Sequence, residues 1–257
     1  MDKKIKITKK FDNMGRNRRQ DKHRLPPFEH SGILLVDKPT EWTSHDVVNL
    51  VRHRFNVKKV GHCGTLDPSA TGLLVLVLGK FTKQSETLSK SDKTYEGTII
   101  LGVETDSQDM EGEVVAEKDT SGLTEENVYE EFAKFAGEQE QIPPMYSAVK
   151  KDGKKLYELA REGKVIEREP RKIIINSIEV SKVDLPKADF VVDCSKGTYV
   201  RTLCHDIGHN LGVGGTLFNL RRTRSGDFSI NDAHQIEDIK QWEQETLAKS
   251  FVGYEEF

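Results

Sequence analysis

Leu73 to Leu78 is an unbroken apolar run whose length and branching suit a strand covered on both faces. Gly32 to Lys38 is a second short apolar stretch, stopped by Pro39, and the two are expected to lie side by side in a sheet. Between them Thr43 or Ser44 can cap a helix that carries Val47, Val48, Val51 and Phe55 on one face. Thr94 to Gly102 alternates as a strand does, and Gly112 to Glu117 is expected to return antiparallel after a turn region at Asp106 to Glu111. Thr124 caps a helix with Val128, Phe132 and Phe135 inward and Gly137 near its end. Phe190 to Cys194 reads as a strand. Tyr199 to Leu211 reads as a helix with Val200, Leu203, Ile207 and Leu211 inward, stopped by Gly212. Thr216 to Thr223 and Phe228 to Ile230 suggest a hairpin across Ser225-Gly226, followed by a last helix from about Ile239 to Phe251. Strands and helices mix without strict alternation, and no internal repeat is present. The pattern is that of an α+β fold with a mixed, largely antiparallel sheet flanked by helices and loops.

Two stretches lack a core pattern. Residues 1–30 have few large apolar groups, many charges and Pro26-Pro27 near their end, and read as a basic, disordered arm before a domain spanning 31–257. Residues 141–171 hold Pro143-Pro144, Asp152-Gly153 and six Lys/Arg between Lys150 and Lys164, and read as an insertion laid over a surface. The net charge of −3 points to no particular partner, but its distribution is uneven. Residues 1–28 carry ten Lys/Arg against three Asp, which makes the arm +7 and the remainder −10, a division compatible with nucleic-acid contact or with an idle solvated tail. Three cysteines, Cys63, Cys194 and Cys204, form no C-x-x-C pair and leave one unmatched in any disulfide scheme, which favours a reducing compartment. The longest apolar run falls far short of the roughly 20 residues of a membrane helix, and the basic N-terminus has no apolar stretch of a secretory signal behind it. The expected location is the cytoplasm.

The chemistry is concentrated just before the apolar run, in Gly61-His62-Cys63-Gly64-Thr65-Leu66-Asp67-Pro68. Pro68 restricts Asp67 to extended geometry, so one carboxylate is held in a defined direction beside a buried element. An Asp before a Pro is also ordinary turn chemistry. The longer string decides between these readings. G-H-C-G-T-L-D-P-S-A-T-G-L-L resembles the catalytic-Asp motif of the TruB family of pseudouridine synthases, the tRNA pseudouridine(55) synthases. Lys38-Pro39, D-K-T-Y-E-G at Asp92 to Gly97, I-P-P-M-Y-S-A-V-K at Ile142 to Lys150 and C-S-K-G-T-Y-V-R-T at Cys194 to Thr202 follow in the family's order, and the resemblance covers about Gly32 to Phe228.

The resemblance implies a pseudouridine-synthase-like fold and an isomerase that exchanges an N-glycosidic for a C-glycosidic bond in a flipped-out uridine of the tRNA T-arm loop. That exchange is redox-neutral and needs no cofactor or metal. By the same resemblance Asp67 is the catalytic carboxylate and Arg201 the arginine that pairs with it. Tyr95 stacks on the uracil, Tyr199 and Leu220 line the pocket, and His62 fills the space the base vacates. For a lone strand tyrosine a plain core position is the competing reading, because buried aromatics dominate cores. The insertion from Lys150 to Lys172 corresponds to an RNA-gripping thumb-like loop, with Arg221, Arg222 and Arg224 as a second basic cluster. The family's C-terminal RNA-binding (PUA-type) domain is expected to be missing, with the basic arm in its place, and the enzyme is expected to be a monomer. A non-catalytic RNA-binding or RNA-folding protein on the same scaffold, and a synthase acting on another RNA, are the alternatives.

Overall fold

The computed structural model describes residues 25–253 apart from 148 and 152. The basic arm expected for residues 1–30 therefore lies outside the described residues up to residue 24. In chain order the elements are β1 (Gly32–Lys38), α1 (Ser44–Arg54), β2 (Val60–His62), β3 (Thr71–Leu78), a 3-10 turn (Gly79–Gln84), α2 (Ser85–Ser89), β4 (Lys93–Leu101), β5 (Val103–Thr105), β6 (Val114–Glu117), α3 (Glu125–Ala133) and β7 (Gly137–Gln141). They continue with β8 (Lys150–Lys151), β9 (Lys154–Lys155), α4 (Leu156–Arg161), β10 (Arg171–Asp184), β11 (Lys187–Cys194), α5 (Val200–Asn210), β12 (Gly215–Ser225), β13 (Phe228–Ser229), a second 3-10 turn (Ile230–Asp232), β14 (His234–Gln235), α6 (Ile236–Ile239) and α7 (Gln244–Lys249).

One mixed sheet runs in the order β14-β1-β3-β12-β4-β11-β10-β7, with β2 on β3 and β13 on β12. β1/β14 and β3/β12 pair in parallel, whereas the other pairings are antiparallel. Successive residues of β1 and β3 go to different cores: Leu34, Val36, Leu74, Leu76 and Leu78 to a larger one, Ile33, Leu35, Leu73, Val75 and Val77 to a smaller one. These two strands are covered on both faces, as their unbroken apolar sequence requires. The larger core takes in the inner stripes of α1 (Val47, Val48, Val51), α3 (Val128, Phe132) and α5 (Val200, Leu203, Ile207). Capping boxes at Thr43/Asp46 and Thr124/Asn127 start α1 and α3, each worth about 1 kcal/mol.

The halves of the sheet meet at β3 and β12, joined in register only at Arg221↔Thr71 and Arg222↔Gly72. Gly72 has φ +101°, and a Cβ there would lie 2.3 Å from the Arg222 carbonyl oxygen, so this seam closes only around a glycine. The loop from Cys63 to Ala70 leads directly into it.

Several elements depart from the expected pattern. β6 pairs with β5 in a separate hairpin instead of with the strand at Lys93–Leu101, because Gly102 (φ +84°) turns the chain away at the end of that strand. Gly137 opens a strand rather than ending a helix. The long β10 has a largely polar sequence, since it buries Ile173 and Ile175 and leaves most other positions exposed between β7 and β11. The last helix is two short ones. Between them the carbonyls of Lys240 and Trp242 accept hydrogen bonds from Arg54 (3.2 and 2.8 Å). The insertion is anchored at its base, where Met145 and Leu156 are buried.

Candidate active site

Two buried cations tie down the loop that carries Asp67. Lys38 Nζ donates to the carbonyls of Pro39 (2.8 Å), Trp42 (2.6 Å) and Pro68 (3.1 Å). Arg222, almost fully buried, donates through Nε to Leu73 O (2.7 Å) and through Nη2 to Gly64 O (3.1 Å). Ser44 adds a two-way bond with the backbone of Leu66, and Glu41 N–H donates to Pro68 O. A turn with its carbonyls held from both ends gives its carboxylate a fixed direction.

Asp67 Oδ2 lies 3.0 Å from Arg201 Nε, and the two side chains are 42% and 6% exposed. The guanidinium is held from behind. Its Nη1 donates to Ser107 O (2.8 Å), its Nη2 to Tyr146 O (2.9 Å), and Asp109 Oδ2 stands 3.4 Å from Nε. Asp109 is itself buried and accepts from Ser107 Oγ and the Glu111 N–H. The neighbouring Gln108 takes φ +68°, an uncommon angle for a non-glycine, and its side chain accepts from Thr202 on α5. Arg201 thus joins the aspartate loop, the loop after β5 and the base of the insertion through one planar group, a role that a lysine cannot fill.

Asp67, Arg201, Tyr95, Tyr199 and Leu220 line one cavity of about 280 Å³, together with Lys93 and Arg222. Asp67 and Arg201 also line a neighbouring cavity of about 510 Å³ that includes Asp106, Tyr146 and Tyr157. Tyr199 caps α5 without a side-chain cap bond. The Gln141 amide locks its backbone, accepting from Tyr199 N–H (2.8 Å) and donating to Tyr199 O (3.1 Å). Burial raises the Tyr95 phenol above its usual pKa, with the neighbouring Arg222 opposing the shift. Burial lowers the ammonium groups of Lys38 and Lys93 to about 8 each. His62 does not line the cavity. It stands on β2 with Nδ1 buried, and burial together with Arg222 lowers its pKa. Among the described residues no group of three or more His, Cys, Asp and Glu is arranged to hold a metal ion.

The second basic cluster expected at Arg221, Arg222 and Arg224 is not a free cationic surface. Arg222 is spent on backbone carbonyls, Arg221 makes a two-pronged pair with Asp37 (3.1 and 2.7 Å), and Arg224 pairs with Asp193. Strand periodicity carries the missed signal. Leu220 and Arg222 alternate onto the face of Gly97 and Tyr95, which they oppose in register, so Arg222 belongs with the cavity.

Two family models match in tandem, TruB family pseudouridylate synthase (N terminal domain) over residues 52–200 and tRNA pseudouridylate synthase B C-terminal domain over residues 201–254. The chain belongs to the TruB family. Among the similar proteins, tRNA pseudouridine synthase B of Opitutus terrae is 51% identical over 215 residues, 84% of this chain and 89% of that protein. The protein of the same name from Clostridium tetani is 49% identical over 211 residues, 82% of this chain and 73% of that one. Among solved structures, a chain of a Cbf5-Nop10-Gar1 complex superposes with a TM-score of 0.66 at 32% identity over 82% of this chain, and one of an H/ACA RNP bound to a substrate RNA containing 2′-deoxyuridine with a TM-score of 0.62 at 28% identity. The chain spans just over half of each of those two. The TruB fold expected from the sequence, α+β with a largely antiparallel sheet, is the fold observed. Among the described residues no helix is long and apolar enough to cross a membrane.

Proposed function

We propose that this TruB family member isomerises the uridine at position 55 in the T-arm loop of tRNA to pseudouridine, with Asp67 as the reacting carboxylate and Arg201 as its partner. The observation that carries this reading is the 3.0 Å Asp67–Arg201 pair, set in the wall of a cavity that also holds Tyr95, Tyr199 and Leu220. A base in a folded RNA loop reaches such a cavity only by leaving its stack, at a cost of a few kcal/mol, and Tyr95 supplies a flat apolar surface to receive it. The N1–C1′ bond breaks while Asp67 either attacks C1′ or removes the 2′ proton. The base then turns and C5 bonds to C1′, as the bond from Asp67 to C1′ breaks on the first route or as the 2′ proton returns on the second, and the proton on C5 leaves while N1 takes one up. Electrons balance within one nucleotide, so the chemistry calls for no cofactor, metal or second substrate. His62, on β2 beside the aspartate loop, acts outside the cavity and against the RNA left behind by the flipped base. The insertion grips the stem. The catalytic domain, residues 31–257, works as a monomer in the cytoplasm, where its three unpaired, buried cysteines stay reduced.

The test is to incubate the purified protein with a T-arm stem-loop transcript and to map pseudouridine after carbodiimide derivatisation. A single modified position in the loop is the expected result. A transcript left unmodified while the protein binds it would favour an RNA-folding role instead.

A further inference from the structure

Breaking the glycosidic bond of a uridine leaves the bonding pair on the base, and the charge spreads over N1 and the two carbonyl oxygens. In a cavity screened from water such an anion needs a preorganised donor or cation. Three cationic side chains line the cavity: Arg201, Arg222 and Lys93. Arg201 is engaged with Asp67, Asp109, Ser107 O and Tyr146 O. Arg222 is turned to the carbonyls of Leu73, Gly64 and Thr65.

Lys93 differs from both. Its Nζ donates to the carbonyls of Ser89 and Ser91, which leaves a third N–H without a partner among the described residues. Lys38 provides the internal comparison: also buried, it spends all three N–H groups on carbonyls and does not line the cavity. Lys93 and Tyr95 are two residues apart on β4 and so share a face, with their backbones about 7 Å apart along the strand.

We propose that Lys93 is a catalytic residue that donates its remaining N–H to a carbonyl oxygen of the departing uracil and stabilises the charge that develops there. The proposal rests on the isomerase reading above and extends it from the ribose side of the reaction to the base side.

The groups around the ammonium are Arg222 from β12, Cys63 from the aspartate loop, Cys194 from β11 and Asp92 next in sequence, while Asp67 and Arg201 share the cavity. Burial pushes Cys63 up to about 11 and Cys194 to about 12, and raises the Tyr95 phenol from 10.0. Burial and Arg222 lower Lys93 to about 8, and Lys38, which holds the Asp67 loop, is lowered to about 8 as well, so a loss of rate between about pH 8 and 10 belongs to Lys93 only where Lys93→Arg removes it.

The experiment compares wild type, Lys93→Met and Lys93→Arg in single-turnover pseudouridine formation on a T-arm stem-loop at saturating protein. RNA Kd is measured by filter binding, and folding by circular dichroism. Lys93→Met is expected to slow the chemical step about 100-fold or more with Kd changed less than about threefold, and Lys93→Arg to stay within about tenfold of wild type. The wild-type rate should fall as pH rises above 8, while Lys93→Arg should hold its plateau to about pH 9.5. A wild-type rate in Lys93→Met, or a loss confined to Kd, overturns the proposal. If Lys93→Met does not fold, indistinguishable pH profiles for wild type and Lys93→Arg overturn it. Product from wild type in the same assay separates this failure from failure of the isomerase reading, which would show as no product at all.

Discussion

Arg222 Nη2 donates to Gly64 O at 3.1 Å across 158 residues of sequence, so the strand that closes the sheet also holds the loop that presents Asp67. Fold and site are thus coupled at the parallel seam. Arg222→Met would leave the carbonyls of Leu73 and Gly64 buried without partners, each costing about 1–3 kcal/mol. Urea denaturation should show a loss of about 3 kcal/mol or more. Gly72→Ala on the other strand of the seam should be comparably harmful, since its Cβ would meet the Arg222 backbone in a left-handed conformation.

Arg201→Ala is expected to abolish measurable turnover and also to weaken the fold. Asp67 is 42% exposed and can take up water. The stranded carboxylate is Asp109, 10% exposed, and two carbonyls lose their donor as well. Removing one partner of a buried pair costs about 3–5 kcal/mol. A shift in thermal unfolding together with lost activity is the expected result, and a change confined to KM would contradict this placement. Asp109→Asn should recover part of the stability of the Arg201→Ala chain in a double mutant, because the buried charge is then gone while the carbonyls of Ser107 and Tyr146 still lack their donor.

Lys38 makes stability depend on pH with a defined sign. Its pKa is lowered from 10.5 in the unfolded chain to about 8 in the folded one, so between those values the unfolded chain binds more protons. Below pH 8 both states are protonated and the full cost of burying the cation is present, and that cost fades as pH rises. From pH 7.5 to 9.5 wild type should gain about 2 kcal/mol relative to Lys38→Met. Equal pH slopes for the two chains in urea titrations would show that Lys38 is not the group responsible.

Several elements of the fold were legible because they depend on local rules, whereas the candidate site residues came from the resemblance to the family. The doubly covered β3 followed from an unbroken apolar run, α1 and α3 from their caps, and the aspartate loop from Gly, Asp and Pro at fixed offsets. What escaped was set by partners distant in sequence. β10 mixes a run of isoleucines with charged residues after a basic insertion, and its full length as a strand is set by its pairing with β11 and β7. Arg222 reads as one of three surface arginines until its register opposite Tyr95 places it inside. Lys38 and Lys93 carry a charge that argues for exposure, and only the backbone carbonyls that converge on them make their burial tolerable.

The central claim is that the negative charge on Asp67 drives the reaction and is not needed for holding RNA. Asp67→Asn keeps the shape of the side chain and removes the charge. Single-turnover conversion of a T-arm stem-loop by this variant, followed beside its Kd for the same RNA, tests the claim most directly. Conversion should fall below detection while Kd stays within about threefold of wild type. Pseudouridine formed at an appreciable rate by Asp67→Asn would contradict the account and assign the chemistry to another group.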